Sequence, residues 1–310
     1  MNILNRAWEM AKTGIGVPLG PVRMLLKAEK SVHVSKNPHR GIRGWFSRRL
    51  KWIGKENRHE YAEKKPWEKQ LTPRNVLGET AVVIGVGPGF GAALARRFAM
   101  EGMNVVMVAR STDKLMYLLP ELAELGGSGH IFPGDASDEA TVKALFRHVE
   151  RNFGVPTLIV VNMEKQIPGG ILEIETSAFE QCWRSNCLSG FLVGREATRL
   201  MEPLHRGTII FTGITASVKG NVGYINMSVG KFGLRALAQS MARELGPKGI
   251  HVVHTILDSG IFSEHSMPGA EKRMSSMHPS QLADTYYHLH TQHQSAWTHE
   301  IDFRPWTEKF

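Results

Sequence analysis

The sequence predicts an α/β fold built on a doubly wound parallel sheet, preceded by a long basic N-terminal extension. Three observations carry this. Short runs rich in Val and Ile do not alternate with polar residues, which is the pattern of strands buried on both faces. Segments with apolar residues at i, i+3, i+4 and i+7 separate these runs. A glycine-rich turn joins the first run to the first helical segment.

The elements follow in order. TAVVIGV (80–86) is the first strand candidate, and the turn after it, GVGPGFG, holds Gly85, Gly87, Gly89, Phe90 and Gly91. A helical pattern, AALARRFAMEG, comes next. NVVMVAR (104–110) and GHIFPGD (129–135) are the second and third strand candidates. The helical pattern EATVKALFRHVERNFG leads into the fourth, TLIVVN (157–162). GTIIFTG (207–213) and IHVVHTILD (250–258) complete the six. Repeating βα units imply right-handed crossovers. No internal repeat is visible.

The chain has 310 residues, 42% hydrophobic and 22% charged. That suffices for a sizeable core and excludes disorder of the whole chain. No apolar run has the length of a transmembrane helix, so no membrane span is expected. Cys182 and Cys187 sit five apart in one helical pattern, which excludes a disulfide framework and points to a reducing compartment with two buried thiols.

Charge divides the chain. Residues 1–75 hold 17 Lys and Arg against 6 Glu, a net of +11, and the remainder holds 21 basic against 23 acidic residues, a net of −2. We therefore expect two regions: a basic arm over 1–75, ending near Leu71-Thr72-Pro73-Arg74, and a folded body over 76–310. Residues 2–12 and 44–55 have helical spacing, and the second piece sets Trp45, Phe46 and Trp52 among Arg and Lys. Such segments suit anionic lipid, RNA or the acidic face of another subunit, although a tail packing on its own body has the same composition. The first stretch is Arg-poor and carries Glu9, a weak match to a cleavable transit peptide, so import without cleavage is the expectation.

The glycine turn is a place where backbone amides approach a pyrophosphate; a fold feature retained around an empty pocket reads the same way. The second strand ends in Arg110-Ser111, where NAD sites place an acidic residue on the ribose. A cation and a hydroxyl there suit a 2′-phosphate, which favours NADP(H), unless Arg110 is only a surface arginine.

With these motifs in hand, residues 76–261 resemble the short-chain dehydrogenase/reductase family of the classical type, and the Rossmann-like fold is what the resemblance implies. GVGPGFG is similar to the family's glycine turn, with Ile84 in place of its Thr. Asp135 matches the acidic residue near the adenine, and Asn162 the asparagine of the NAG motif, where Met163 and Glu164 replace Ala-Gly. Asn186 and Lys231 match the catalytic asparagine and lysine. The resemblance also implies a tyrosine four residues before the lysine and a serine thirteen before that tyrosine. Those positions hold Met227 and Ile214. A thioether has no proton to give, and general acid–base help contributes about 10²–10⁴-fold. Tyr224, on a shared helix with Lys231, lies about 10 Å along the axis from it. Thr212, Thr215 and Ser217 flank Ile214 as alternative hydroxyls. In an emptied site Lys231 would hold a ribose or face solvent, and Asn186 would bridge a helix kink through water.

His288, His290 and His293 lack partners that complete a metal site, so no metal is expected and a helix surface or subunit interface is the reading. Three functions follow. The first is a catalytically degenerate member serving as an accessory subunit of a large mitochondrial assembly, at the inner membrane or in the matrix, a respiratory-chain complex before a mitoribosome. Its arm would touch other subunits and anionic lipid or RNA. The second is an active NADP-dependent oxidoreductase of the carbonyl/alcohol class that its arm localises. An NADP-binding sensor without chemistry is a third.

Overall fold

The computed structural model describes residues 74–262 and 275–308. The expected arm, its two helical pieces and Trp45, Phe46, Trp52 and Trp67 lie outside the described residues, except Arg74 and Asn75.

Seven parallel strands form one sheet in the order β3-β2-β1-β4-β5-β6-β7. They are β1 (Thr80–Ile84), β2 (Asn104–Ala109), β3 (Ser128–Pro133), β4 (Leu158–Val161), β5 (Gly207–Ile214), β6 (Ile250–Leu257) and β7 (Glu300–Phe303). Alternate residues of β1 explain the unbroken apolar runs. Ala81 and Val83 pack on one face with helices α1 (Phe90–Met100), α2 (Leu118–Glu124) and, later in the chain, α7 (Pro279–Thr291). Val82 and Ile84 pack on the other with α3 (Glu139–Phe153), α5 (Ser189–Met201) and α6 (Ile225–Leu245). Helix α4 (Thr176–Trp183) runs into α5 through a π turn at Arg184–Leu188. Six strands were expected; β7 was not, because EIDF at a sheet edge is only partly buried and carries no apolar run. None of the described helices is long and apolar enough to cross a membrane.

Strand order reverses between β1 and β4, which opens a crevice at their carboxyl ends. The opposite end of the sheet is tied by a partly buried carboxylate. Glu79 accepts from Arg74 (2.9 Å) and Thr157 Oγ1 (2.6 Å) and pairs with Arg206. Arg74, counted with the arm by charge, therefore belongs to the body by its contacts, and it also donates to the His290 carbonyl. Burial alone would raise the Glu79 pKa, but bonds with His290 and Thr157 and the charges of Arg74 and Arg206 outweigh it and hold the carboxyl at about 2.

The histidine reading needs correction. His290 is not on a helix surface: it is 1% exposed, with Nδ1 3.0 Å from Thr208 Oγ1. Its place on the inner face of α7 puts it against β5, which no motif announces. The reading of Cys182 as a buried thiol agrees with its position, whereas Cys187 is only half-buried; burial pushes both thiols up.

These buried groups predict acid lability. Burial lowers His290 to about 4 against the opposing pull of Glu79, and lowers His254 to about 4 against that of Glu300. The unfolded chain takes up these protons near the ordinary histidine value of about 6.5, while the fold refuses them until about pH 4. Stability should thus be complete above about pH 6.5 and fall by up to about 3 kcal/mol per histidine as pH drops through that window. Urea unfolding at several pH values measures this, and His290→Gln should reduce the slope.

Candidate functional site

The crevice is built from strand ends. At the end of β1 the chain turns at Gly85, whose φ is +83° and where an added Cβ would lie 2.3 Å from the Asn162 carbonyl oxygen. A side chain is therefore excluded twice, by conformation and by space. Asn162 closes the contact from β4, donating Nδ2 to the Gly85 carbonyl at 3.3 Å. Gly91 lets α1 approach β1, since a Cβ there would sit 2.7 Å from Val86 Cα. At Gly87 and Gly89 nothing lies within 4 Å of an added Cβ. These two glycines border open space, as a backbone that admits a phosphate must. Helix α1 starts there without a side-chain cap or an acidic residue in its first turn; the Ala92 and Ala93 amides donate back to the Gly87 and Gly89 carbonyls, and the positive end of the dipole meets no acidic side chain of that turn. Phe90 is the anchor: it is buried, with its ring edge-on to Tyr286 at 5.1 Å.

The adenine end is assembled by β2 and β3. Arg110 and Ser111 follow β2 and are both exposed. Asp135 follows β3, and its Oδ1 accepts from the Ser137 amide and hydroxyl, both at 2.8 Å. The structure thus brings Gly85, Gly87, Gly89, Phe90, Gly91, Arg110, Ser111, Asp135 and Asn162 to one edge of the sheet, along the carboxyl ends of β1 to β4. The open glycine backbone and a guanidinium beyond β2 fit a dinucleotide bearing a 2′-phosphate.

Lys231 and Asn186 organise the other end. Lys231, on α6, is 1% exposed, and its Nζ donates to the carbonyls of Met163 (2.8 Å) and Thr212 (2.9 Å). The alternative that it faces solvent in an emptied site does not hold. Burial pushes its pKa down to about 8, with the charge of Glu164 opposing. Asn186 lies in the π turn, buried, and grips the Lys165 backbone from both sides, accepting from its amide (3.0 Å) and donating to its carbonyl (2.7 Å). It holds the segment after β4 by direct bonds, in place of the water bridge that was the alternative reading.

Beside Lys231 lies a cavity of about 720 Å³, lined among others by Met227, Ile214, Glu164, Tyr224 and Ser228. Met227 and Ile214 are where the resemblance expects a phenol and a hydroxyl. Each flanking hydroxyl has a partner. Thr212 Oγ1 turns inward to Tyr286 at 3.0 Å, Ser217 Oγ accepts from the Ile214 amide at 3.1 Å, and Thr215 Oγ1 donates to Asp258. Tyr224 does not share a helix with Lys231. It precedes the first residue of α6, with φ −131°, yet it lines the same cavity. Sequence reasoning missed Ser228, whose hydroxyl is buried and makes no hydrogen bond among the described residues. The only signal was its place three residues before Lys231 on the helix.

Comparison with known proteins agrees with this architecture. The family model for short chain dehydrogenase matches residues 79–265. Sorbitol-6-phosphate 2-dehydrogenase of Escherichia coli (strain K12) is 33% identical over 184 residues, 58% of this chain and 71% of that protein. A short-chain dehydrogenase from Rhodopseudomonas palustris has a crystal structure with a TM-score of 0.65 and 37% identity, covering 76% of this chain and 100% of its own. A metagenomic short-chain oxidoreductase solved in complex with NADP gives a TM-score of 0.66 and 25% identity, with coverage of 76% and 100%.

Replacing Asn186 by Ala removes both bonds to Lys165. Two buried backbone groups lose their partners, so stability should fall by about 1–3 kcal/mol. Hydrogen exchange at the Lys165 amide should accelerate while the β5 amides stay protected.

Proposed function

The chain belongs to the short-chain dehydrogenase family, and from that premise we propose that it binds NADP(H) as an oxidoreductase-type protein without using the phenol–hydroxyl relay. The observation that carries the reading is the combination at one crevice: a glycine turn left open at Gly87 and Gly89 with Arg110 beyond β2, beside a cavity with Met227 and Ile214 at the proton-donor end.

Bound there, the dinucleotide would supply a hydride. The turn amides and the first turn of α1 would take the pyrophosphate, and Arg110 with Ser111 the 2′-phosphate. Lys231 keeps the strand ends in register by its two carbonyl bonds and supplies positive charge beside the cavity. Asn186 holds the neighbouring segment. No group at 227 or 214 transfers a proton.

The oxidoreductase reading is supported by the relatives, several of which are named as dehydrogenases or reductases. Recruitment as a silent subunit of a mitochondrial assembly has support only in the charge of residues 1–75 and in Met227 and Ile214. Under either reading the arm is the attachment to an anionic partner, because the body's net of −2 cannot offset +11.

Calorimetry tests the nucleotide. NADPH should bind more tightly than NADH, and Arg110→Ala should weaken NADPH about tenfold, a loss of about 1.4 kcal/mol, while leaving NADH unchanged. Equal affinity for the two would remove the role of Arg110. Turnover of ordinary ketones should stay far below about 10 per second, and Met227→Tyr with Ile214→Ser should raise it.

The arm is tested by deleting residues 1–72, which spares Arg74. The shortened protein should keep its melting temperature and lose salt-sensitive binding to cardiolipin-containing vesicles. Retained binding would refute the attachment role, and transfer of that binding to RNA would redirect it.

A further inference from the structure

We propose that the cavity beside Lys231 accepts a substrate already positively charged at the reacting group, a cyclic iminium or the amine from which one forms, rather than a neutral carbonyl. The proposal rests on the reading that NADP(H) binds this chain, and it deepens that reading by naming the substrate class.

Proton counting separates the two substrate classes. Hydride addition to a neutral ketone forms a C–H bond and leaves an alkoxide, which must take a proton. The donors that the resemblance expects are absent at Met227 and Ile214, and the Thr212 and Thr215 hydroxyls are engaged with Tyr286 and Asp258. An iminium differs. When its carbon receives hydride, the C–H bond forms, the π pair of the C=N bond becomes the nitrogen lone pair, and the positive charge disappears. The dinucleotide is oxidised by two electrons, and no proton enters or leaves. The reverse reaction takes hydride from an amine carbon and equally needs no base. A site without a phenol at 227 and a hydroxyl at 214 is weakened for carbonyls and unimpaired for this class.

The lining favours such a ligand. Glu164 stands where the resemblance has a glycine, is exposed to the cavity and makes no ion pair among the described residues. Met163 and Met227 add polarisable thioethers, and Tyr224 a ring whose face attracts cations. Ser228, 7% exposed, brings a hydroxyl with no partner among the described residues, an acceptor for the N–H of a protonated imine. The ammonium of Lys231 is the one opposing charge in this lining. It is fully buried and its Nζ is held by two backbone carbonyls, while the exposed Glu164 carboxylate supplies the negative charge of the lining.

The test uses the full chain and two probes of similar shape, N-benzylpyrrolinium and its neutral counterpart benzylcyclopentanone. NADPH binding is measured first by calorimetry, and its absence would overturn the nucleotide reading alone. Probe binding is then measured without nucleotide. The cation should bind about tenfold more tightly than the ketone, and Glu164→Gln, at an exposed position, should erase most of that preference without lowering the melting temperature. With NADPH bound, single-turnover oxidation of the nucleotide should proceed with the iminium and not with the ketone. Equal binding of the two probes, a preference unchanged in Glu164→Gln, or faster reduction of the ketone would each overturn the substrate assignment while leaving nucleotide binding standing.

Discussion

One buried ammonium joins the parts of this site. Lys231 reaches from α6 to the carbonyl of Met163 after β4 and to that of Thr212 in β5, at 2.8 and 2.9 Å. An isolated charge at this depth is costly, and hydrogen bonds to backbone dipoles are what make it tolerable. The same bonds fix the spacing of β4 and β5 where the cavity opens. Removing the lysine would leave two carbonyls without donors, so its retention has a structural reason beside any chemical one. The presence of Lys231 alone therefore does not argue for catalysis.

Beneath that joint the polar groups form closed sets. The Tyr286 hydroxyl bridges Thr212 and Thr255 at 3.0 and 2.6 Å, and burial raises its pKa above the ordinary value. Its ring meets Phe90 at the start of α1. The glycine turn, the sheet and α7 are thus coupled through one aromatic pair. On the far side, Arg235 grips Glu300 with two bonds of 2.7 Å, and Glu300 lies 3.0 Å from His254 Nδ1. At the crevice, open groups remain at the backbone of Gly87 and Gly89 and in the cavity with Glu164 and Ser228.

Much of this was legible in sequence because burial leaves compositional marks. Both faces of β1, β4 and β5 are covered, so their runs are continuously apolar and were read correctly. The glycine turn was legible because positive φ and close approach leave no other residue type at Gly85. Lys231 and Asn186 were identified by resemblance, but their bonds were not, since both partners are backbone atoms that any sequence provides. His290 was misread because a buried polar residue on an amphipathic helix differs from an exposed one only through contacts with a distant strand. Tyr224 was placed on a helix because spacing does not reveal that α6 begins one residue later. Ser228 carries no motif.

The position of β7 has a consequence for biosynthesis. The eight residues of β6 are all buried, one side of the strand being paired with β5 and the other with β7. Synthesis is vectorial, so β6 leaves the ribosome well before Glu300–Phe303 can cover it. Through that interval a strand destined for full burial presents an unpaired edge, the kind of surface that templates strand addition and that chaperones shield. The nascent chain is most at risk of aggregation after β6 has docked on β5 and before β7 arrives.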